Sequence, residues 1–145
     1  MATRSRIGYA LSDDSIVNVY HHWDGYPEWL GVTLEEHYNT DEKVKELIDG
    51  GNMSSCYSDS DYDKENGGFV KVDPRPSYYG GDDEAPVLSK NLDEMAKIDC
   101  GAEFLYVWLK GKWYAYETDI EHDDDWNITG FYTIPVEIPK ETRTV

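Results

Sequence analysis

The sequence predicts an α+β fold: a mostly antiparallel sheet of about five strands (two hairpins plus an edge strand) with two or three short helices on one face. Three observations predict it. Residues 7–22 and 103–118 are rich in β-branched and aromatic side chains, and each run breaks at a short polar or glycine-bearing connection, as a hairpin does. Two helix starts carry a capping residue followed three positions later by Glu. A proline-bearing apolar run at 128–138 reads as a strand confined to an edge, because proline cannot donate to a central ladder.

In the first hairpin, Ile7, Tyr9 and Leu11 form one arm and Ile16, Val17, Val19 and Tyr20 the other, joined by Ser12-Asp13-Asp14-Ser15. Asp24 or Gly25 ends the second arm, and Pro27 suits the first turn of a helix, where its missing N–H is no loss. That helix spans about 27–38, with Leu30, Leu34 and Tyr38 on one face. A second helix starts at Asn39 or Thr40 as cap, buries Val44, Leu47 and Ile48, and stops at Gly50-Gly51. Residues 52–90 turn to Ser, Asp, Gly, Pro and Tyr and read as a long irregular loop holding at most one strand, at 68–72. A third helix spans 91–98, with Asn91 as cap and Leu92, Met95 and Ala96 sharing a face. Phe104–Leu109 and residues 113–116 then form the second hairpin around Lys110-Gly111-Lys112.

The 145 residues suit a single domain. They carry 30 acidic against 13 basic residues, a formal net charge of -17. So negative a chain lacks the cations that replace counterions at a phosphate backbone, which excludes direct nucleic-acid binding, and it disfavours an anionic membrane surface. An aromatic content of 14% argues against disorder despite the charge. No apolar stretch of signal-peptide length follows the basic start and no C-x-x-C is present, so a cytoplasmic protein with Cys56 and Cys100 reduced is expected.

Chemistry-bearing motifs are sparse. No G-x-S-x-G, phosphate loop, G-x-G-x-x-G or H-E-x-x-H occurs, and no cofactor is expected. Asp59-Ser-Asp61-Tyr-Asp63 opens like a calcium loop, but its sixth position is Lys64 and its twelfth Val70, so it lacks the turn glycine and the bidentate acid. His22 and Asp24, two apart, can share a face and join His122 as metal ligands or an acid–base pair; a capped turn with aromatic packing is the plainer reading. Glu35 and Glu36 read as a solvated helix face. Aromatic Trp108, Trp113, Tyr114 and Tyr116 supply core on one face of their hairpin and a stacking surface on the other.

The strings Ser5-Arg-Ile-Gly-Tyr9, Tyr20-His-His-Trp-Asp-Gly-Tyr-Pro-Glu-Trp-Leu-Gly31, His37-Tyr38-Asn39, Leu47-Ile-Asp-Gly-Gly51 and Met53-Ser54 resemble a group of small uncharacterised bacteriophage-encoded proteins. The resemblance covers about the first 55 residues and extends loosely to the later Tyr-Val-Trp strand. It implies a protein made in a bacterial host cytoplasm and carries over no catalytic residue.

Residues 1–50, 51–100 and 101–145 have net charges of -6, -6 and -5, so by thirds the acidity is spread through the chain. Such a field steers a protein toward basic partners. The reading that follows is an acidic phage protein that binds and modulates or inhibits a basic host protein, such as a nucleic-acid-binding or transcription protein, by mimicking or occluding nucleic acid. Its expected contact residues are His22, Trp23, Asp24, Tyr26, Trp113, Asp123, Asp124 and Asp125, with no metal. The alternative is a small metal-dependent enzyme or ligand-binding protein centred on the His-His-Trp-Asp turn.

Overall fold

A computed structural model of the chain describes residues 3–98 and 100–139, the side chains of Asp61 and Tyr62 apart. Eight strands form one mixed sheet: β1 (Ser5–Ala10), β2 (Ile16–His21), β3 (Met53–Tyr62), β4 (Phe69–Tyr78), β5 (Val87–Ser89), β6 (Phe104–Leu109), β7 (Lys112–His122) and β8 (Ile128–Val136). The order across the sheet is β4-β3-β2-β1-β6-β7-β8, with β5 also on β2. The α-helices are α1 (Val32–His37), α2 (Asp41–Asp49) and α3 (Leu92–Ala96).

This corrects the α+β expectation of about five mostly antiparallel strands. The sheet has eight strands, and two of its pairings, β1 with β6 and β2 with β3, are parallel. The two predicted hairpins are present, β1–β2 and β6–β7, but they meet side by side through the parallel β1–β6 pair. The region read as a long loop at 52–90 with a strand at 68–72 holds three strands instead: that strand is the start of β4, and β3 and β5 are added to it.

The helices are not confined to one face. Ile7, Val19, Tyr106, Trp108 and Ala115 point toward α1 and α2, where Leu34, Val44, Leu47 and Ile48 close the larger core. The alternate residues Ile16, Leu105 and Val107 point the other way and meet Met95 and Ala96 of α3. Central strands buried on both faces read as unbroken apolar runs, and Phe104-Leu-Tyr-Val-Trp-Leu109 is such a run. The caps follow the sequence: Thr40 Oγ1 accepts the Lys43 N–H at 3.2 Å, and Asn91 Oδ1 accepts the Glu94 N–H at 2.9 Å. The first predicted helix divides, however: Pro27–Gly31 forms a wider π turn before α1 begins.

Register places Ser5, His21, Met53, Phe104 and Glu117 in one row across the sheet. Strands β3 and β7 run in the same direction and both continue past that row. The β3–β4 and β7–β8 pairs therefore leave the same end of the sheet as two-stranded ribbons, with bases four strand spacings, or about 19 Å, apart before twist.

Candidate functional site

The most distinctive string of the sequence, His21 to Pro27, builds the base between the two ribbons. His21 is fully buried, and its Nε2 accepts the Cys56 N–H at 3.0 Å. That bond assigns the ring proton to Nδ1, which has no hydrogen-bond partner among the described residues; the facing Ser5 Oγ has none either. Burial first, and the neighbouring His22 second, lower the His21 pKa to about 3, so the ring is neutral. Gly25 is pinned by its N–H to Thr3 O at 2.9 Å and by the Tyr106 hydroxyl donating to its carbonyl at 2.6 Å. A Cβ there would lie 2.6 Å from Thr3 O and 2.7 Å from Ser5 Oγ, so only glycine fits.

Around this base, His22 Nδ1 and the Tyr20 hydroxyl are 2.6 Å apart, and the His22 ring lies edge-on to Trp23 at 4.6 Å. Trp23 is 48% exposed, and Asp24 is exposed with φ at +54°. Asp24 thus makes the turn and caps no helix: the residue preceding the π turn is the half-buried Tyr26, and it makes no side-chain cap. Trp113 lies in the core at 8% exposure, donating from Nε1 to Tyr38 O at 2.8 Å and packing edge-on to Trp108, so it offers no surface to a partner.

The metal and acid–base alternative needs His22, Asp24 and His122 together. His22 follows β2 and His122 ends β7, three strand spacings or about 14 Å away across the sheet, against the roughly 2 Å of a metal–ligand bond. Among the described residues, no three His, Cys, Asp or Glu side chains group as a metal site would require. Asp63 of the calcium-like string closes the tip of the β3–β4 ribbon, accepting the N–H groups of Glu65 and Asn66 at 3.0 and 3.2 Å. Both cysteines are free, and burial drives the Cys56 thiol far above its ordinary pKa, so it is inert.

The β7–β8 ribbon concentrates what the division by thirds averaged away. Residues 113–139 contain seven carboxylates and no Lys or Arg. Glu117, Asp119 and Glu121 alternate along β7 and so share one face, about 6.8 Å apart. Opposite them on that face stand the exposed Ile134 and Tyr132 and then Gly130. At the tip, Asp123 Oδ1 accepts the N–H groups of Asp125 and Asn127, both at 2.9 Å, and the Trp126 N–H bonds Asp123 O at 3.0 Å. Of these supports, the Asn127 N–H contributes most to holding the Asp123 carboxyl below its ordinary pKa. Asp124 and Asp125 are exposed beside it.

Trp126 is 80% exposed, and its φ of +65° lies in the left-handed region, where glycine or asparagine is the default. Its ring is 5.4 Å from that of His122. Sequence reasoning named the three aspartates but missed this tryptophan; the signal available was a large aromatic placed directly after Asp123-Asp-Asp125 in a turn.

The expected contact residues thus separate into a group at the ribbon base (His22, Trp23, Asp24 and Tyr26), a group at one ribbon tip (Asp123, Asp124 and Asp125) and one core residue, Trp113. No family model, no curated protein and no solved structure matches the chain. Among the described residues, no helix is long and apolar enough to cross a membrane.

Proposed function

We propose that this is a non-enzymatic binding protein, of the phage kind its first 55 residues resemble, that engages a basic bacterial protein through the β7–β8 ribbon and competes with nucleic acid for it. The observation that carries the reading is Trp126, an exposed aromatic held in a costly backbone conformation at the tip of an element with seven carboxylates and no cation. A bulky residue in the left-handed region costs on the order of 1–2 kcal/mol, and such outliers persist where they serve a function. Tryptophan is, with Tyr and Arg, among the residues enriched at the energetic centres of protein interfaces. Regularly spaced carboxylates on an extended strand offer a basic surface the charges that phosphates otherwise supply, and they accelerate encounter in a salt-dependent way.

The test is affinity capture from bacterial lysate with the tethered protein at low and at moderate salt, compared with the variant Asp119→Asn/Glu121→Gln/Trp126→Gly. Basic proteins retained at low salt, released by salt or by added nucleic acid and lost in the variant are the expected result. A column that retains nothing at low salt, or that retains the same proteins with the variant, overturns the proposal.

A further inference from the structure

The two outer strands of the sheet differ in a way that decides where a partner can pair. Proline on an edge strand turns its nitrogen toward solvent, because it has no N–H to give the ladder. On β4, Pro74 and Pro76 stand two residues apart and remove two donors from the same side, which blunts that edge against added strands. On β8, Pro135 lies opposite Tyr116, and the register from Gly130 to Val136 is unbroken. Backbone groups alternate sides along a strand, so Phe131 and Thr133 direct their N–H and C=O outward with Pro135. Neither residue has a backbone partner on that side among the described residues. The β8 edge is open over five residues.

What would occupy it follows from charge. The adjoining strand β7 carries Glu117, Asp119 and Glu121 on one face, and among the described residues no ion pair engages them. A second copy pairing through β8 would set two such acidic rows three strand spacings, or about 14 Å, apart and double the uncompensated negative charge, which long-range repulsion opposes at low salt. A basic extended segment meets complementary charge instead. At the C-terminal end of β8 an open groove of about 560 Å³, lined by residues 113–116 and 135–138, includes Tyr114, Tyr116 and Pro135, which by alternation face away from the carboxylate row and suit the apolar side chains that alternate with the basic ones.

We infer that β8 receives an extended, lysine- or arginine-bearing strand of the partner, which extends the sheet by backbone pairing to Phe131 and Thr133 while its long basic side chains reach across β8, over Tyr132 and Ile134, toward the β7 carboxylates. This rests on the proposed basic partner and specifies how that partner is held. β-Strand addition takes its affinity from main-chain hydrogen bonds and its selectivity from alternate side chains, which suits an edge with few deep pockets.

The experiment uses the full chain and a seven-residue peptide of alternating lysine and valine, alongside the same peptide N-methylated at alternate amides, which keeps the charge and removes the donors that would face β8. Binding is read by isothermal titration, and backbone amide exchange by NMR. The expected result is about tenfold weaker binding of the methylated peptide, with new protection of the Phe131 and Thr133 amides under the unmethylated one. Equal affinity of the two peptides, or protection elsewhere, overturns strand addition at β8 while leaving the basic-partner reading intact. If neither peptide binds, or if Asp119→Asn/Glu121→Gln binds both as well as the parent does, the charge reading itself fails. A dimer whose Phe131 and Thr133 amides are protected without peptide makes the occupant a second copy and also overturns the inference.

Discussion

Acidification should destabilise this protein through His21, by an amount that the buried geometry fixes. The ring is fully buried and neutral, accepts the Cys56 N–H and has a pKa lowered to about 3. The unfolded chain carries this histidine at its ordinary value of 6.5. Below that value the unfolded state binds a proton that the folded state refuses, so stability is lost as pH falls from 6.5 toward 3. The slope is about 1.4 kcal/mol per pH unit, which makes the loss between pH 7 and pH 5 about 2 kcal/mol. The many carboxylates also titrate toward that range, so the measurement is a difference. Urea unfolding of the parent and of His21→Gln at both pH values isolates the one group, because the carboxylates are common to both chains. Gln keeps an acceptor for the Cys56 amide and does not titrate. The variant should lose about 2 kcal/mol less than the parent between pH 7 and pH 5. If the two pH profiles run parallel, His21 is not a buried neutral ring in the folded protein, and the assignment of its Nε2 as acceptor is wrong.

Other perturbations test other parts of the fold. Asn18→Leu removes the acceptor of the Arg6 Nε–H at 2.6 Å and the donor to Ser89 Oγ at 3.1 Å, leaving a buried guanidinium short of a partner; a loss of about 3 kcal/mol or more in urea unfolding is expected. Gly50→Ala places a methyl inside the Tyr78 ring and breaks the hydroxyl's bond to Leu47 O, so the melting temperature should fall although φ at Gly50 is an ordinary -70°. Trp126→Gly should leave stability unchanged or raise it by up to about 1 kcal/mol while abolishing partner capture, and a drop in stability would show the tryptophan to be a packing residue. Glu117→Gln/Asp119→Asn/Glu121→Gln should raise the melting temperature at low salt, with the gain vanishing as salt is added.

What the sequence made legible, and what it hid, divides along locality. The β1–β2 and β6–β7 hairpins, the Thr40 and Asn91 caps and the strand at 128–136 are written in short-range patterns of alternation and capping, and these formed. The parallel β1–β6 pairing joins residues about 100 positions apart and leaves no local mark. Strand β3, and β4 beyond the expected 68–72, were hidden for a different reason. Their outer halves are exposed on both faces, so Ser58, Asp59 and Ser60 show no apolar alternation, and Phe69 and Val70 face solvent. Only the inner half is anchored, by Cys56 in the core, the Tyr38 hydroxyl donating to Cys56 O at 2.5 Å and the Tyr78 hydroxyl donating to Leu47 O at 2.7 Å. The site divided in the same way. The residues of the His-His-Trp-Asp-Gly turn looked chemical because of their types, yet His21 and Gly25 serve packing. The acidic ribbon was visible as composition, but only a window matched to a real element, residues 113–139, reveals that it lacks cations entirely.

Within that ribbon, position and energetics point the same way. A tip tryptophan with positive φ, a same-face row of carboxylates without cations and an edge left open by the spacing of a single proline each lower stability or solubility when considered alone. None is forced by the core, because from the Glu117–Ile134 pair to the tip the ribbon contributes no residue to the larger buried cluster and only the half-buried Phe131 to the smaller one. The β3–β4 ribbon, equally peripheral, took the protective course: lysines and an arginine interspersed among its acids, and two prolines on its edge. Each ribbon carries an exposed aromatic near its tip, Phe69 and Trp126, but the two differ in charge balance and in the blocking of their outer edges. The proposed binding at β7–β8 accounts for that difference, whereas a general need for soluble acidity would shape both ribbons alike.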